Sequence, residues 1–232
     1  MFRPIEQPGL ARTRTSGVNL PNALSIGRII VAPLIAMLPF AAGWELRLAG
    51  FALFIAAAIT DYYDGVIART RNLVTDLGKQ LDPLADKLLL VATLVPIFIL
   101  MRREPLAYPL DFITPLGRLG LPLWALIVVL GRELFMTVFR HIAARRGVVI
   151  AAIGPAKVKT VMQNIWVGAA YFWFAAVAAA QRYDWTGTLW LVFANVNGVI
   201  GVVAMLASIV LTLYSLALYL SKYAGVMRWT RD

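Results

Sequence analysis

Residues 61–86 read DYYDGVIARTRNLVTDLGKQLDPLAD, and this stretch lies between two apolar runs that are each long enough to cross a bilayer. It contains five of the twelve acidic residues of the chain: Asp61, Asp64, Asp76, Asp82 and Asp86. The first two come near the end of one run, and the last two near the start of the next. Carboxylates at the ends of membrane helices are costly unless they are paired or bind a metal ion. The stretch is therefore the first candidate for a functional site.

The spacing of these aspartates follows the α-helix. One set of residues is spaced i, i+3, i+4, i+7 and a second set i, i+4, i+8, so each set shares one helical face. The two sets are Asp61, Asp64, Gly65 and Ala68, and Gly78, Asp82 and Asp86. A lone aspartate pair is usually a helix cap or a solvated face, but four carboxylates in matching registers converge if the helices pack together. Clustered hard oxygen ligands suit Mg²⁺ or Mn²⁺, and the glycines would let a ligand approach the backbone.

Composition places the chain among polytopic membrane proteins. It has 232 residues, of which 60% are hydrophobic, and its mean hydropathy is +0.75. The absence of cysteine excludes disulfides, thiolate metal sites and a cysteine nucleophile. The net charge of +10 is explained by loops that face anionic lipid and by an anionic substrate. Since no nucleic-acid-binding motif accompanies it, we expect no nucleic-acid partner.

The apolar runs predict an all-α fold of six transmembrane helices. The predicted spans cover residues 22–42, 48–68, 82–101, 119–141, 160–180 and 189–219. We expect a turn over residues 43–47, a loop over 102–117 and a basic loop over 143–159. Pro83 indicates either that Asp82 caps the third helix or that this helix is kinked. The domain organisation is a polar segment over residues 1–18 without a cleaved signal, a six-helix domain over 19–223 and a tail over 224–232.

The distribution of Lys and Arg predicts the orientation. Sixteen of these residues fall on the side of the two termini and of the aspartates, against five on the other side. The positive-inside rule therefore puts both termini and the aspartates in the cytoplasm. Asn22, Ser25 and Arg28 near the start of the first span either face a site there or anchor the helix at the interface.

The pattern Asp61-x2-Asp64-Gly65-x2-Ala68-Arg69-x8-Gly78-x3-Asp82-x3-Asp86 resembles the signature of the CDP-alcohol phosphotransferases, integral membrane enzymes of phospholipid synthesis. The resemblance implies that an acceptor hydroxyl attacks the lipid-side phosphorus of CDP-diacylglycerol and that CMP leaves. It further implies that Asp61, Asp64 and Asp82 bind the metal, and that Asp86 is the general base and also a metal ligand. The residues implied to bind CDP-diacylglycerol are Gly65, Ala68, Arg69, Thr75 and Gly78.

The acceptor must be inferred from residues outside this signature. Arg132 and Arg140 fall on one helical stripe, where two guanidinium groups would cradle a phosphate. Lys157 or Lys159, at the start of the fifth span, would complete the phosphate site. The pattern Gly131-Arg132-Glu133, Arg140 and Lys157-x-Lys159-Thr160-x2-Gln163 resembles the phosphatidylglycerophosphate synthase branch, which implies sn-glycerol 3-phosphate as acceptor.

Other assignments remain open from the sequence. Within the family, the acceptor is alternatively inositol phosphate, or phosphatidylglycerol as in a cardiolipin synthase. A cation channel or transporter would also carry acidic residues in its spans, but here they cluster on one side. We expect a bacterial inner-membrane protein, and the positive-inside bias places its active site in the cytoplasm. The family is often dimeric, so a homodimer is an expectation, although no dimerisation motif stands out.

Overall fold

The computed structural model of the chain describes residues 19–70, 75, 77–103, 110–148, 150 and 154–223, except for the side chains of residues 68, 69 and 79. This part of the chain is mostly helical. Its helices are α1 (Leu20–Met37), a 3₁₀ turn (Leu38–Phe40), α2 (Trp44–Thr70), α3 (Gly78–Leu100), α4 (Leu123–Arg145), α5 (Gly154–Arg182) and α6 (Thr188–Lys222). Two short strands, β1 (Phe112–Thr114) and β2 (Gly117–Leu119), separate α3 from α4. The terminal segments 1–18 and 224–232 lie outside the described residues.

Five of the six long helices described are apolar and long enough to cross a membrane, namely α1, α2, α3, α5 and α6. The chain is therefore an integral membrane protein. The remaining helix, α4, has 23 residues but carries Arg132, Glu133 and Arg140, so its composition alone does not mark it as a span. The prediction of six spans is thus confirmed for five helices.

Every long helix described except α4 begins before its predicted start, and the basic loop predicted over residues 143–159 is helical at both ends, because α4 ends at Arg145 and α5 begins at Gly154. α2 begins at Trp44, so most of the turn predicted over residues 43–47 is helical. α3 begins at Gly78, whose backbone N–H donates to the Thr75 hydroxyl at 3.0 Å. Asp82 is therefore not a helix cap, and Pro83 lies inside the helix. Because of this early start, Asp82 and Asp86 lie on one continuous helix, one turn apart.

The helices pack around aromatic side chains contributed mainly by α5. α1 packs on α2 and α3, and α5 packs on α2 and α6. Tyr171 of α5 is fully buried, and its hydroxyl lies 3.1 Å from the carbonyl oxygens of Ile35 in α1 and Ala92 in α3. Its ring stacks on Phe54 of α2. Tyr171 therefore contacts α1, α2 and α3, the three helices that carry Arg28 and the four aspartates.

The predicted helical fold is confirmed in that the described residues are mostly helical, but the predicted loop over residues 102–117, of which 104–109 lie outside the described residues, contains strand structure. β1 and β2 form an antiparallel hairpin with a two-residue loop, which Gly117 closes with a φ of +110°. The hairpin lies against two glycines of α6. A Cβ on Gly198 would overlap the Ile113 carbonyl, and one on Gly201 would lie 2.6 Å from the Phe112 ring. Leu119 belongs to β2, so α4 begins four residues later than predicted.

The close contact between Gly198 of α6 and the hairpin gives a stability prediction. We expect Gly198→Ala to lower the free energy of unfolding by about 1–3 kcal/mol, because the new methyl group displaces the hairpin backbone. The matched control is Gly131→Ala, since a Cβ at that helical glycine meets nothing within 4 Å. Thermal unfolding of both variants in detergent measures the difference. Equal stability of the two variants would contradict this description of the hairpin.

Candidate active site

The predicted convergence of the aspartates occurs around an arginine of a third helix. Arg28 of α1 donates through Nη1 to Asp61 and to Asp86, the latter at 2.9 Å. Its Nη2 donates to Asp64 at 2.6 Å. The guanidinium thus pairs with carboxylates of both α2 and α3. We call Asp61, Asp64, Asp82 and Asp86 the carboxylate cluster.

The fourth carboxylate is held by a neighbouring residue of α1. Ser25 is buried, and its hydroxyl donates to Asp82 at 2.5 Å. Ser25 and Arg28 are three residues apart, so they share one face of α1. Of the two roles that the sequence left open for these residues, the structure supports contact with the site rather than anchoring at the interface. The only local signal was a single arginine inside an apolar span, which marks a functional candidate but not its partners.

Arg28 and the residues of the carboxylate cluster differ in how far their side chains are exposed. The side chains of Arg28 and Asp64 are 2% and 6% exposed, whereas that of Asp86 is 55% exposed. Asp64 therefore forms the closed bottom of the cluster. Asp86 faces open space, where a substrate can reach it.

The carboxylate cluster has the chemistry of a divalent-cation site but not its final arrangement. Among the described residues, no three acidic side chains are placed to share one ion, and Arg28 lies between them. The donors are nevertheless hard carboxylate oxygens, the type that Mg²⁺ and Mn²⁺ prefer. The cluster has four carboxylates against the two nearby cations, Arg28 and Lys87, so two negative charges remain in excess. The donor set therefore fits the metal expected from the sequence.

The residues predicted to bind the nucleotide lie beside this cluster. Thr75 donates to the Asn22 side chain at 3.0 Å, and Gly78 packs so closely that a Cβ would lie 2.7 Å from Asn22 Oδ1. In this structure the missing side chain of Gly78 leaves room for Asn22 of α1. Asn22 Nδ2 is buried without a hydrogen-bond partner among the described residues. Gly65 is half-buried on α2. The side chains of Ala68 and Arg69 are not among those that the structure describes.

A second group of charges surrounds Glu133. Its Oε1 accepts from Arg132 Nη1 at 2.7 Å and from Lys159 Nζ at 2.5 Å, and both cations are buried. Arg132 also donates to Ser215 of α6 at 3.0 Å. Arg140 is exposed, with its guanidinium 5.9 Å from the Tyr219 ring centre. We call Arg132, Arg140 and Lys159 the cationic cluster.

One cavity of about 610 Å³ connects the two clusters. Three residues of the carboxylate cluster and all three of the cationic cluster line it: Asp61, Asp82, Asp86, Arg132, Arg140 and Lys159. Apolar side chains, among them Phe54 and Leu90, form the remaining wall. Lys157 is exposed and does not line the cavity, so the geometry favours Lys159 of the two lysines proposed from the sequence. His141, the one histidine of the sequence, also lines it.

Comparison with known proteins agrees with the signature. Residues 18–230 match the model of the CDP-alcohol phosphatidyltransferase family. A Bacillus subtilis protein named CDP-diacylglycerol–glycerol-3-phosphate 3-phosphatidyltransferase is 39% identical over 163 residues, which cover 65% of this chain and 75% of the relative. A Mycobacterium tuberculosis protein named probable phosphatidylglycerophosphate synthase is 32% identical, with 70% of each chain covered. An Arabidopsis thaliana relative with the same activity in its name is 31% identical over 90% of this chain and 64% of its own.

The pairing of Arg28 with three carboxylates gives a second stability prediction. In buffer without divalent ions, we expect Arg28→Met to lower the free energy of unfolding by about 3–5 kcal/mol, because it leaves buried carboxylates without a counter-ion. The control is Arg145→Met, at an exposed position near the end of α4. Chemical unfolding of the detergent-solubilised protein measures both. A loss no larger than that of the control would contradict the role of Arg28 as counter-ion.

Proposed function

The chain belongs to the CDP-alcohol phosphatidyltransferase family, and we propose that it transfers the phosphatidyl group of CDP-diacylglycerol to sn-glycerol 3-phosphate. The products are phosphatidylglycerophosphate and CMP. The observation that carries this proposal is the single cavity that joins a carboxylate cluster to a cationic cluster. Such a cavity suits a reaction between a pyrophosphate and a phosphorylated alcohol. The names of the relatives at 39% and 31% identity support the same acceptor.

We assign the general base to Asp86. Its side chain is the most exposed of the four carboxylates, and it lies on the cavity wall. The reaction needs a base that takes the proton of the acceptor hydroxyl as this oxygen attacks the lipid-side phosphorus. Arg28 holds Asp86 at 2.9 Å and so orients it toward the cavity. Holding both reactants in one cavity contributes further, because it fixes their relative geometry.

Asp61, Asp64, Asp82 and Asp86 are the residues that would hold Mg²⁺ or Mn²⁺ in this enzyme. A bound divalent ion would supply positive charge that neutralises the pyrophosphate of CDP-diacylglycerol. Arg28 lies among these carboxylates, so it must give up part of its contacts when an ion is bound. Gly65, Ala68, Arg69, Thr75 and Gly78 remain the residues proposed to contact the nucleotide portion.

We assign the acceptor phosphate to the cationic cluster. Arg132, Arg140 and Lys159 carry three positive charges against the one negative charge of Glu133, which leaves two in excess. This excess balances a phosphate dianion. Glu133 keeps Arg132 and Lys159 in place while no phosphate is bound, since an unpaired buried cation would be costly. Lys157 stays a weaker candidate because it lies outside the cavity.

The membrane setting completes the proposal. We propose that α4 is the sixth span, with its charged residues directed into the cavity rather than toward lipid. The positive-inside bias supports a bacterial inner-membrane enzyme whose site opens to the cytoplasm, where glycerol phosphate is dissolved. A homodimer remains an expectation from the family.

A panel of acceptors tests the proposed function. We expect the purified protein, given CDP-diacylglycerol and Mg²⁺, to form labelled lipid and CMP from sn-glycerol 3-phosphate at least about a hundredfold faster than from inositol phosphate or phosphatidylglycerol. Lipid chromatography and CMP release measure the products. Product from inositol phosphate alone, or from phosphatidylglycerol alone, would replace the acceptor assigned here. Ion flux without CMP release would favour the channel interpretation instead.

The assignment of Asp86 gives a catalytic prediction. Asp86→Asn should lower kcat by about 10²–10⁴-fold while CDP-diacylglycerol still binds, because the amide cannot accept the proton. The control is Asp111→Asn, near the hairpin and outside the spans. Asp111 does not line the cavity, so removing its charge should leave both clusters unchanged. Turnover of Asp86→Asn close to that of the control would remove Asp86 as the base.

A further inference from the structure

One buried polar atom of the cavity wall is used by neither cluster. Gln163 of α5 lines the cavity and is only 8% exposed. Its side-chain oxygen, Oε1, has no hydrogen-bond partner among the described residues. Buried carbonyl oxygens are nearly always paired, because an unpaired one has lost its hydrogen bonds to water without replacement. An unpaired acceptor on a cavity wall therefore indicates that a ligand supplies the donor.

The position of Gln163 on α5 restricts what this ligand group can be. Gln163 follows Lys159 by four residues, so the two side chains are neighbours on one helical face, one turn apart. Both line the cavity, as does Val167 one further turn along. A small molecule whose phosphate contacts Lys159 therefore presents the adjoining carbon atoms to Gln163. The group that meets Oε1 must be a hydrogen-bond donor within a few bonds of the phosphate.

We propose that Gln163 determines acceptor specificity by accepting a hydrogen bond from the hydroxyl of the acceptor that does not react. This inference rests on the proposed function. sn-Glycerol 3-phosphate has two hydroxyl groups: the terminal one attacks phosphorus, and the C2 hydroxyl lies between it and the phosphate. The C2 hydroxyl is the only remaining donor in the molecule. Gln163 makes and breaks no covalent bond; it recognises and orients the acceptor.

The test compares two acceptors that differ in this hydroxyl alone. sn-Glycerol 3-phosphate has the C2 hydroxyl, whereas 3-hydroxypropyl phosphate lacks it. We expect the wild-type enzyme to prefer the former by about tenfold to a hundredfold in kcat/KM, because the analogue leaves Oε1 unpaired. Gln163→Met, which has similar length but no strong acceptor, should lose this preference. The loss should come from glycerol 3-phosphate, with kcat/KM for the analogue changed less than about twofold and the KM for CDP-diacylglycerol unchanged.

Two further variants keep the test decisive. Gln163→Glu retains an acceptor oxygen at the same distance from the backbone, so it should keep the preference even if its added charge slows both acceptors. Asn195→Leu replaces a partly exposed amide on α6, outside the cavity, and should behave as wild type. If Gln163→Met fails to fold, the ratio measured for Gln163→Glu still tests the proposal, because loss of preference there contradicts it.

Failure of the Gln163 assignment can be distinguished from failure of the proposed function. Equal decreases for both acceptors in Gln163→Met would show a structural role and overturn the proposal, as would an unchanged ratio. In either case, turnover of glycerol 3-phosphate by the wild type leaves the proposed function intact. A wild-type enzyme that uses neither acceptor would instead refute the proposed function, and with it the assignment of Gln163.

Discussion

The guanidinium of Arg28 is the interaction on which the rest of the site depends. It neutralises carboxylates from α2 and α3 while it is itself held on α1, so it joins three helices at one point. Four carboxylates at membrane depth would repel one another and resist burial without such a partner. The packing of α1 on both neighbouring helices is therefore linked to the charge balance of the site. Any cation that binds there must compete with a residue of the protein.

The cationic cluster is likewise balanced by a residue of opposite charge, here a carboxylate among cations. Glu133 accepts from Arg132 and Lys159, so each end of the cavity contains its own residue of opposite charge. In both places the internal partner leaves an excess, which is negative at one end and positive at the other. The excess charges are those that a cation at one end and a phosphate at the other would neutralise. Placing both ends in one cavity would bring an alcohol and a pyrophosphate together.

The sequence predicted those features that depend on local periodicity. The registers of Asp61 with Asp64 and of Asp82 with Asp86 follow from helical spacing, and their convergence is confirmed. Arg28 could not be assigned to these partners, since contacts 33 to 58 residues apart leave no local pattern. The hairpin was missed because three-residue strands carry almost no alternation signal. The start of α3 was predicted too late because Pro83 is typical of a first helical turn. The helix instead begins at Gly78, whose backbone N–H donates to the Thr75 hydroxyl.

The central claim is that the acceptor phosphate and the divalent cation bind at opposite ends of one cavity. The most direct test is the relaxation of the ³¹P resonance of sn-glycerol 3-phosphate when Mn²⁺ is added to the protein. We expect strong paramagnetic broadening that depends on the protein and disappears in a variant with Asp61 and Asp64 both changed to Asn. Glycerol 3-phosphate that binds the protein but relaxes no faster with Mn²⁺ in the wild type than in this variant would contradict the claim.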